Sequence, residues 1–418
     1  MTQNNRTDPN IPKFDRADSR VRYDSGLTGA LRGFLDRVRS GDLGMLPVVI
    51  GLLLISTVFT ILNPIFLAPN NLVNLLFDAA AVGLISLGVV CVLLLGEIDL
   101  SIGSMSGLSS AVIGVLWINT GFSLPVAIFA ALLTGAAVGA VFSFLRNRFD
   151  MPSFVATLAG LLTLLGMQLY ILGPSGSINL PFTSALVRFG QILIMPAWLS
   201  YLLAIAPGVL IVLGGLRNSK KRIAANLSSS GMTLPALKAA GFTIGLVFAV
   251  FYLEQGRGVP WMFGVFVLFV IILDYALTRT KWGRSMFAVG GNSEAARRSG
   301  INVQQIRMSA FMVCSTFAAL GGVFAASRLA SASQQAGAGD VNLNAIAAAV
   351  IGGTSLFGGR GSAWSALLGV LVIMAISNGL TLLNLSSSLR YMITGAVLAI
   401  AVIVDSLARR SRASHGRA

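Results

Sequence analysis

Residues 74–104 read NLLFDAAAVGLISLGVVCVLLL and then GEIDLSIGS. The first part carries one charge, Asp78. It is long enough to cross a bilayer as a single helix, which takes about 20 apolar residues. The second part breaks the pattern with Gly96, Glu97, Asp99, Ser101, Gly103 and Ser104, two carboxylates at spacing two among them. Similar apolar runs recur along the chain near 43–63, 74–95, 101–118, 122–145, 153–172, 198–216, 239–254, 261–278, 309–329, 344–357, 362–384 and 389–408. The run at 344–357 is short and bounded by glycine, so it reads as a broken or re-entrant element. The run at 239–254 is also short. The expected fold is all-α, a polytopic transmembrane helix bundle of 10–12 spans.

Composition points the same way. Of 418 residues, 55% are hydrophobic and 11% are charged, whereas a soluble chain carries about 25% charged residues. The 46 glycines suit helices that approach closely within a membrane. The net charge of +15 invites a nucleic-acid reading, but its distribution excludes one. With the N-terminus in the cytoplasm, all of the 30 Lys and Arg except Arg188, Arg257, Arg328 and Arg390 fall on the cytoplasmic side. That is the positive-inside pattern of a multi-pass protein, and an even number of crossings puts both termini in the cytoplasm. No signal peptide is visible.

The chain divides into a cytoplasmic tail at 1–42, a transmembrane domain at 43–408 and a basic cytoplasmic tail at 409–418. In the first tail, Leu31, Phe34, Leu35 and Val38 fall on one helical face opposite Arg32, Asp36, Arg37 and Arg39. This predicts a short amphipathic helix, lying on membrane lipid or extending the first span. An internal repeat is visible at an offset of about 256 residues, where Gly96, Leu100 and Gly103 match Gly352, Leu356 and Gly359.

Three segments carry candidate chemistry. The stretch 96–104 has two readings: a broken helix lining a polar path, with Asp99 or Ser101 capping the next helix, or a loop whose carboxylates face water. A charge within the bilayer needs a partner, a cavity or an interface. The stretch 351–361 holds Gly352, Gly353, Gly358, Gly359 and Gly361 and cannot be a stable helix. It is a candidate backbone-lined constriction, with Thr354 and Ser355 within it. The cytoplasmic loop 279–308 predicts a short helix beginning at Glu294, capped by Asn292 or Ser293 and stopped by Gly300. A helix so presented is either a bland solvated loop or a docking element.

Enzyme signatures are absent. The one His is His415, no lysine follows a glycine as a P-loop requires, and no metal-ligand spacing exists. Cys91 and Cys314 both lie inside apolar runs and form no disulfide framework.

The loop bearing Glu294, Ala295, Ala296 and Gly300 resembles the EAA loop of ABC importer permeases. The wider strings AVGGNSEAARRSGINV (288–303), GEIDLSIGS (96–104), PSFVATLAG (152–160), AIAAAVIGGTSLFGG (345–359) and NGL (378–380) resemble the monosaccharide branch of that superfamily. The stretch 217–260 resembles the insertion of its xylose-type members. The Ile-x-Leu-Pro tail of the wider EAA consensus is missing. The resemblance covers about residues 45–408 and implies a sugar-importer membrane subunit of the bacterial inner membrane. It implies a homodimer, a cytoplasmic ATPase that carries ATP and Mg²⁺ and docks on 279–308, and a periplasmic sugar-binding protein. The chain itself would hold no cofactor. Glu97, Asp99, Ser101, Ser104, Thr354, Ser355 and Asn378 are the polar groups suited to a sugar path, though helix–helix hydrogen bonding would use the same side chains. A second reading is a secondary transporter that couples to protons or cations through Glu97 and Asp99.

Overall fold

The computed structural model describes residues 46–225, 227, 233–386, 388–397, 399, 400 and 403. The expected tails at 1–42 and 409–418 lie outside these residues, as does most of the second half of the 389–408 run. The described helices are α1 (Leu46–Leu62), α2 (Pro69–Leu94), α3 (Ile102–Ile113, continued as a π-helical turn at Gly114–Asn119), α4 (Leu124–Phe149), α5 (Ser153–Leu172), α6 (Ala185–Gln191), α7 (Ala197–Ala224), α8 (Thr233–Glu254), α9 (Trp261–Arg279), α10 (Lys281–Gly291), α11 (Ser293–Arg298), α12 (Val303–Leu329), α13 (Val341–Ile351) and α14 (Ala363–Leu382). Residues 388–397 are also helical.

Among the described residues, nine helices are long and apolar enough to cross a membrane. The runs at 43–63, 344–357 and 389–408 account for the rest of the sequence pattern, as α1, α13 and the helix at 388–397. Several helices outrun their apolar stretches. Helix α7 continues to Ala224 through Lys220, Lys221 and Arg222, since cations at a helix C-terminus favour the dipole. Helix α8 starts at Thr233 and has 22 residues, so the run at 239–254 is not short.

Residues 196–255, holding α7 and α8, form one compact unit, in which Gly208 packs against Thr243 and Ala239. The other unit comprises the described residues of 46–195 and 256–403. Its centre is α2, buried along nearly all of its length, with α12 packed on α2, α3 and α4, and with α13 and α14 against α2. The contacts run through small residues. Gly88 lies on the Cys314 backbone, Gly139 on the Phe311 carbonyl and Gly369 on the Ala348 carbonyl. Dispersion between closely approaching backbones replaces the hydrophobic effect that lipid cannot supply.

A short antiparallel ladder, β1 (Ser177–Asn179) with β2 (Ser331–Ser333), pairs Ile178 with Ala332. It ties together the chain leaving α5 and the chain leaving α12. From β2 the chain runs irregularly through 334–340 before α13 begins. Gln168 fixes the depth of this stretch. It lies about four turns, or roughly 22 Å, into α5, and its Nε2 donates to the carbonyls of Ser333 (2.9 Å) and Ala336 (3.0 Å). One turn further along, Asn342 Oδ1 accepts from the Gly103 amide. With 11 residues, α13 spans only about 16 Å, half of a hydrocarbon core. The chain from 334 to 351 is therefore a broken element, irregular at 334–340 and helical at Val341–Ile351, and the run at 344–357 begins within that helix and takes in the Gly-rich turns after it.

Candidate functional site

The site is built where α2 ends. Gly96 takes φ +73°, a left-handed conformation glycine tolerates best, and the chain turns into the loop 95–101. The side chains of that loop do not face water. Glu97 is 8% exposed and Asp99 is 2% exposed, so the loop reading with solvated carboxylates is overturned. Glu97 Oε1 meets Arg146 Nε at 3.2 Å, from α4, and Arg307 Nε at 3.4 Å, from α12. Arg146 is shared with Asp150. Two guanidiniums compensate one buried carboxylate, and the helices that carry them are thereby pinned to the loop.

Asp99 is held differently. Its Oδ1 accepts from the Ser101 amide at 2.8 Å and from the Ser101 hydroxyl at 2.7 Å, and the Cys314 thiol donates to Oδ2 at 3.8 Å. Burial pushes the Asp99 carboxyl above its usual range, and the bonds from Ser101 and Cys314 oppose that. Neither residue caps α3 as the sequence suggests. Ser101 occupies the N-cap position without a capping bond, because its hydroxyl is already given to Asp99. Asp99 closes an Asx turn instead.

The loop backbone is clamped by α5. Ser153 Oγ accepts from the Ile98 amide at 3.3 Å, and Thr157 Oγ1 accepts from the Leu100 amide at 3.1 Å. On another side, the Gly359 amide donates to the Leu94 carbonyl at 2.9 Å. Gly358 packs against Gly96 and the Gly290 carbonyl. Gly290, near the end of α10, faces both Leu94 and Gly359. A β-carbon there would overlap the Leu94 carbonyl oxygen. Four of the quoted strings, at 96–104, 152–160, 345–359 and 288–303, thus meet at one end of the bundle. The two repeat copies are in direct contact there, although α2 has 26 residues and α13 has 11.

The other expected residues distribute as follows. Ser104 is buried in the first turn of α3, where Gly103 lies against Gly337 and Asn342. Gly352 is pressed onto the Ser365 backbone and Gly361 onto Thr354 and Leu94. Gly353, at φ +107°, has only the Ser365 hydroxyl near it. Thr354 is 1% exposed and its Oγ1 finds no partner among the described residues. Ser355 Oγ accepts from the Phe357 amide at 3.2 Å. Asn378 stands apart. It exchanges two hydrogen bonds with Asn71, at 2.8 and 3.0 Å, near the far end of α2. That end also holds the Arg328–Asp78 pair at 2.8 Å.

Beyond Gly290 the chain forms α11. Asn292 Oδ1 accepts from the Ala295 amide at 2.9 Å, the expected cap. The helix starts at Ser293, one residue earlier than expected, and Gly300 follows at φ +86°. Glu294 is exposed and pairs with Arg297 and Arg298, Ala295 is exposed, and Ala296 is buried. The region is less loop-like than the sequence suggests, since α10 precedes α11. Arg146, Arg307, Ser153, Thr157, Cys314 and Gly290 were not readable as site residues. The available signals were Ser153 and Thr157 at i, i+4 within the string 152–160 and Gly290 within the string 288–303.

The family model described as "Branched-chain amino acid transport system / permease component" matches residues 71–402. The chain is 34% identical to the xylose transport system permease protein XylH of Escherichia coli K12, over 88% of this chain and 92% of that protein. It is 30% identical to XylH of Haemophilus influenzae, over 88% of this chain and 98% of that protein. With the ribose import permease protein RbsC of E. coli K12 the figure is 32%, over 86% and 92%. No solved structure matches. A family model spanning most of the chain and relatives of this identity, on a helical bundle with nine spanning helices among the described residues, establish that this protein belongs to the monosaccharide permease family of ABC transporters.

Proposed function

We propose that the chain is the translocation subunit of a binding-protein-dependent importer of a neutral monosaccharide, D-xylose before ribose. Two copies form the pore in a bacterial inner membrane, with both termini in the cytoplasm. ATP and Mg²⁺ are handled by a separate cytoplasmic ATPase, and sugar is delivered by a periplasmic binding protein. The observation that carries this reading is the meeting of α10 with the Gly96 and Gly359 turns, directly before the exposed helix α11. A subunit docked on Glu294, Ala295 and Gly300 would act on the end of the core helix α2 through a single packed contact. Closure of the ATPases then biases a two-state bundle, because docking contacts differ between the states. D-xylose is favoured by the two XylH relatives and by the resemblance of 217–260 to the insertion of xylose-type members.

The bonding at the site argues against the gradient-driven alternative. Glu97 is engaged by two guanidiniums, and both Asp99 oxygens accept hydrogen bonds.

Proteoliposomes test the proposal. Uptake of D-xylose should require added ATPase, ATP and binding protein and should ignore a proton gradient. Gradient-driven uptake by this chain alone would reject it. Glu294→Arg or Gly300→Pro should abolish uptake while the chain still inserts. A copurifying ATPase with unchanged uptake in both variants would remove the docking assignment.

A further inference from the structure

One cleft of the bundle lies far from the Glu97 end and is lined by Asp340, Ser377, Leu380, Arg390, Tyr391 and Thr394. We propose that it is a transient binding site for a neutral polyol, the sugar in transit; this rests on the importer reading above. Asp340 closes the irregular stretch 334–340, which is held within the bundle by the Gln168 bond to Ala336 and, just past its end, by the Asn342 bond to Gly103. Gln334, Gln335, Ala338 and Gly339 are exposed there. Irregular backbone at membrane depth persists only where protein covers it or a water-filled cavity adjoins it. Broken helices around such cavities hold the substrate in many transporters.

The charges argue for a neutral ligand. Asp340 and Arg390 are both half-buried and line the same cleft. Among the described residues, the Arg390 guanidinium has no ion-pair partner. Asp340 Oδ2 accepts from Asn344 Nδ2 at 2.9 Å, and its second oxygen accepts no bond among the described residues. A carboxylate and a guanidinium held apart in one cleft sum to zero charge and repel neither end of a neutral molecule. Between them they offer an acceptor and a planar set of donors. Sugar hydroxyls, which both donate and accept, satisfy the two at once, and the Ser377, Tyr391 and Thr394 hydroxyls add donors and acceptors. Leu380, 4% exposed, gives an apolar wall for the C–H face of a sugar ring. An ionised sugar acid would leave one of the two charges opposed. Ionisable groups within a membrane mark substrate pathways because their burial costs too much otherwise.

The test uses the full transporter, reconstituted with its ATPase and binding protein. Ser377→Cys is labelled with an impermeant maleimide in the presence of D-xylose or of D-xylonate, its anionic counterpart. D-xylose should slow labelling about threefold or more, and D-xylonate should not. Asp340→Asn and Arg390→Gln should each lower D-xylose uptake about tenfold, as expected when a charged hydrogen-bond partner of a sugar hydroxyl is lost. Labelling that D-xylose leaves unaltered, equal protection by D-xylonate, or wild-type uptake by both variants overturns the site. If the wild-type transporter takes up no neutral monosaccharide with ATP, the importer reading fails and the site fails with it.

Discussion

Glu97 is the residue that joins the loop after α2 to two other helices through ion pairs. It lies 49 positions from Arg146 in sequence and binds α4 and α12 to the loop that ends α2. Removing one partner of a buried ion pair costs about 3–5 kcal/mol, because the remaining charge is left uncompensated. Glu97→Gln leaves Arg307 facing Arg146 with no carboxylate between them. Asp78 differs, since its side chain is 48% exposed where it meets Arg328, and such pairs contribute about 0–1 kcal/mol. Glu97→Gln should therefore lower the thermal midpoint in detergent, and sugar uptake, far more than Asp78→Asn. Equal midpoints and equal uptake in the two variants would return 96–104 to a passive loop. The presence of Glu97 and Asp99 within an apolar chain was legible in the sequence. Their burial was not, because it depends on guanidiniums and hydroxyls supplied by distant helices.

At the scale of elements, the decisive contact is that of α10 with the turns at Gly96 and Gly359. Glycine is required at Gly290 by proximity, since any β-carbon there overlaps the Leu94 carbonyl oxygen. Its neighbour Gly291 has nothing within 4 Å of the equivalent position. Gly290→Val should cost about 1–3 kcal/mol by overpacking and reduce coupled uptake strongly, with the chain still inserted. Gly291→Ala should match the wild type in the same assay. Similar uptake by the two variants would show that α10 transmits nothing to α2. Helix α11 was legible, because its cap at Asn292 and stop at Gly300 follow from local chemistry. Helix α10 was not. Trp282, Met286, Phe287 and Val289 form an apolar face too short to stand out beside the runs that flank it.

At the scale of the whole molecule, orientation is the property to measure. The basic residues predict that α11 faces the cytoplasm and that the turn before α4 faces outward. Ser299 and Ser123 are both exposed, and the native Cys91 and Cys314 are buried. Impermeant maleimide added to intact cells should label Ser123→Cys and spare Ser299→Cys, with the order reversed on inverted vesicles. Labelling of Ser299→Cys from outside would invert the topology. The compact hairpin at 196–255 includes most of the stretch that resembles the xylose-type insertion, so the extra sequence is organised as helices in their own unit rather than as a loop.

The sequence alone determined the membrane class, the positions of the apolar runs, the expected orientation, the cap of α11 and the family. Each is carried by a property of the linear chain: run length, charge position, local turn chemistry or a contiguous string. Tertiary structure alone decided that Glu97 and Asp99 are buried, that four of the quoted strings share one end of the bundle, and that Asn378 belongs to the other. It also decided that α13 is preceded by an irregular stretch at 334–340 and that Asp340 and Arg390 line one cleft. These depend on which backbones approach closely enough to exchange hydrogen bonds. The Asp99–Cys314 contact spans 215 positions, a proximity that no local pattern encodes.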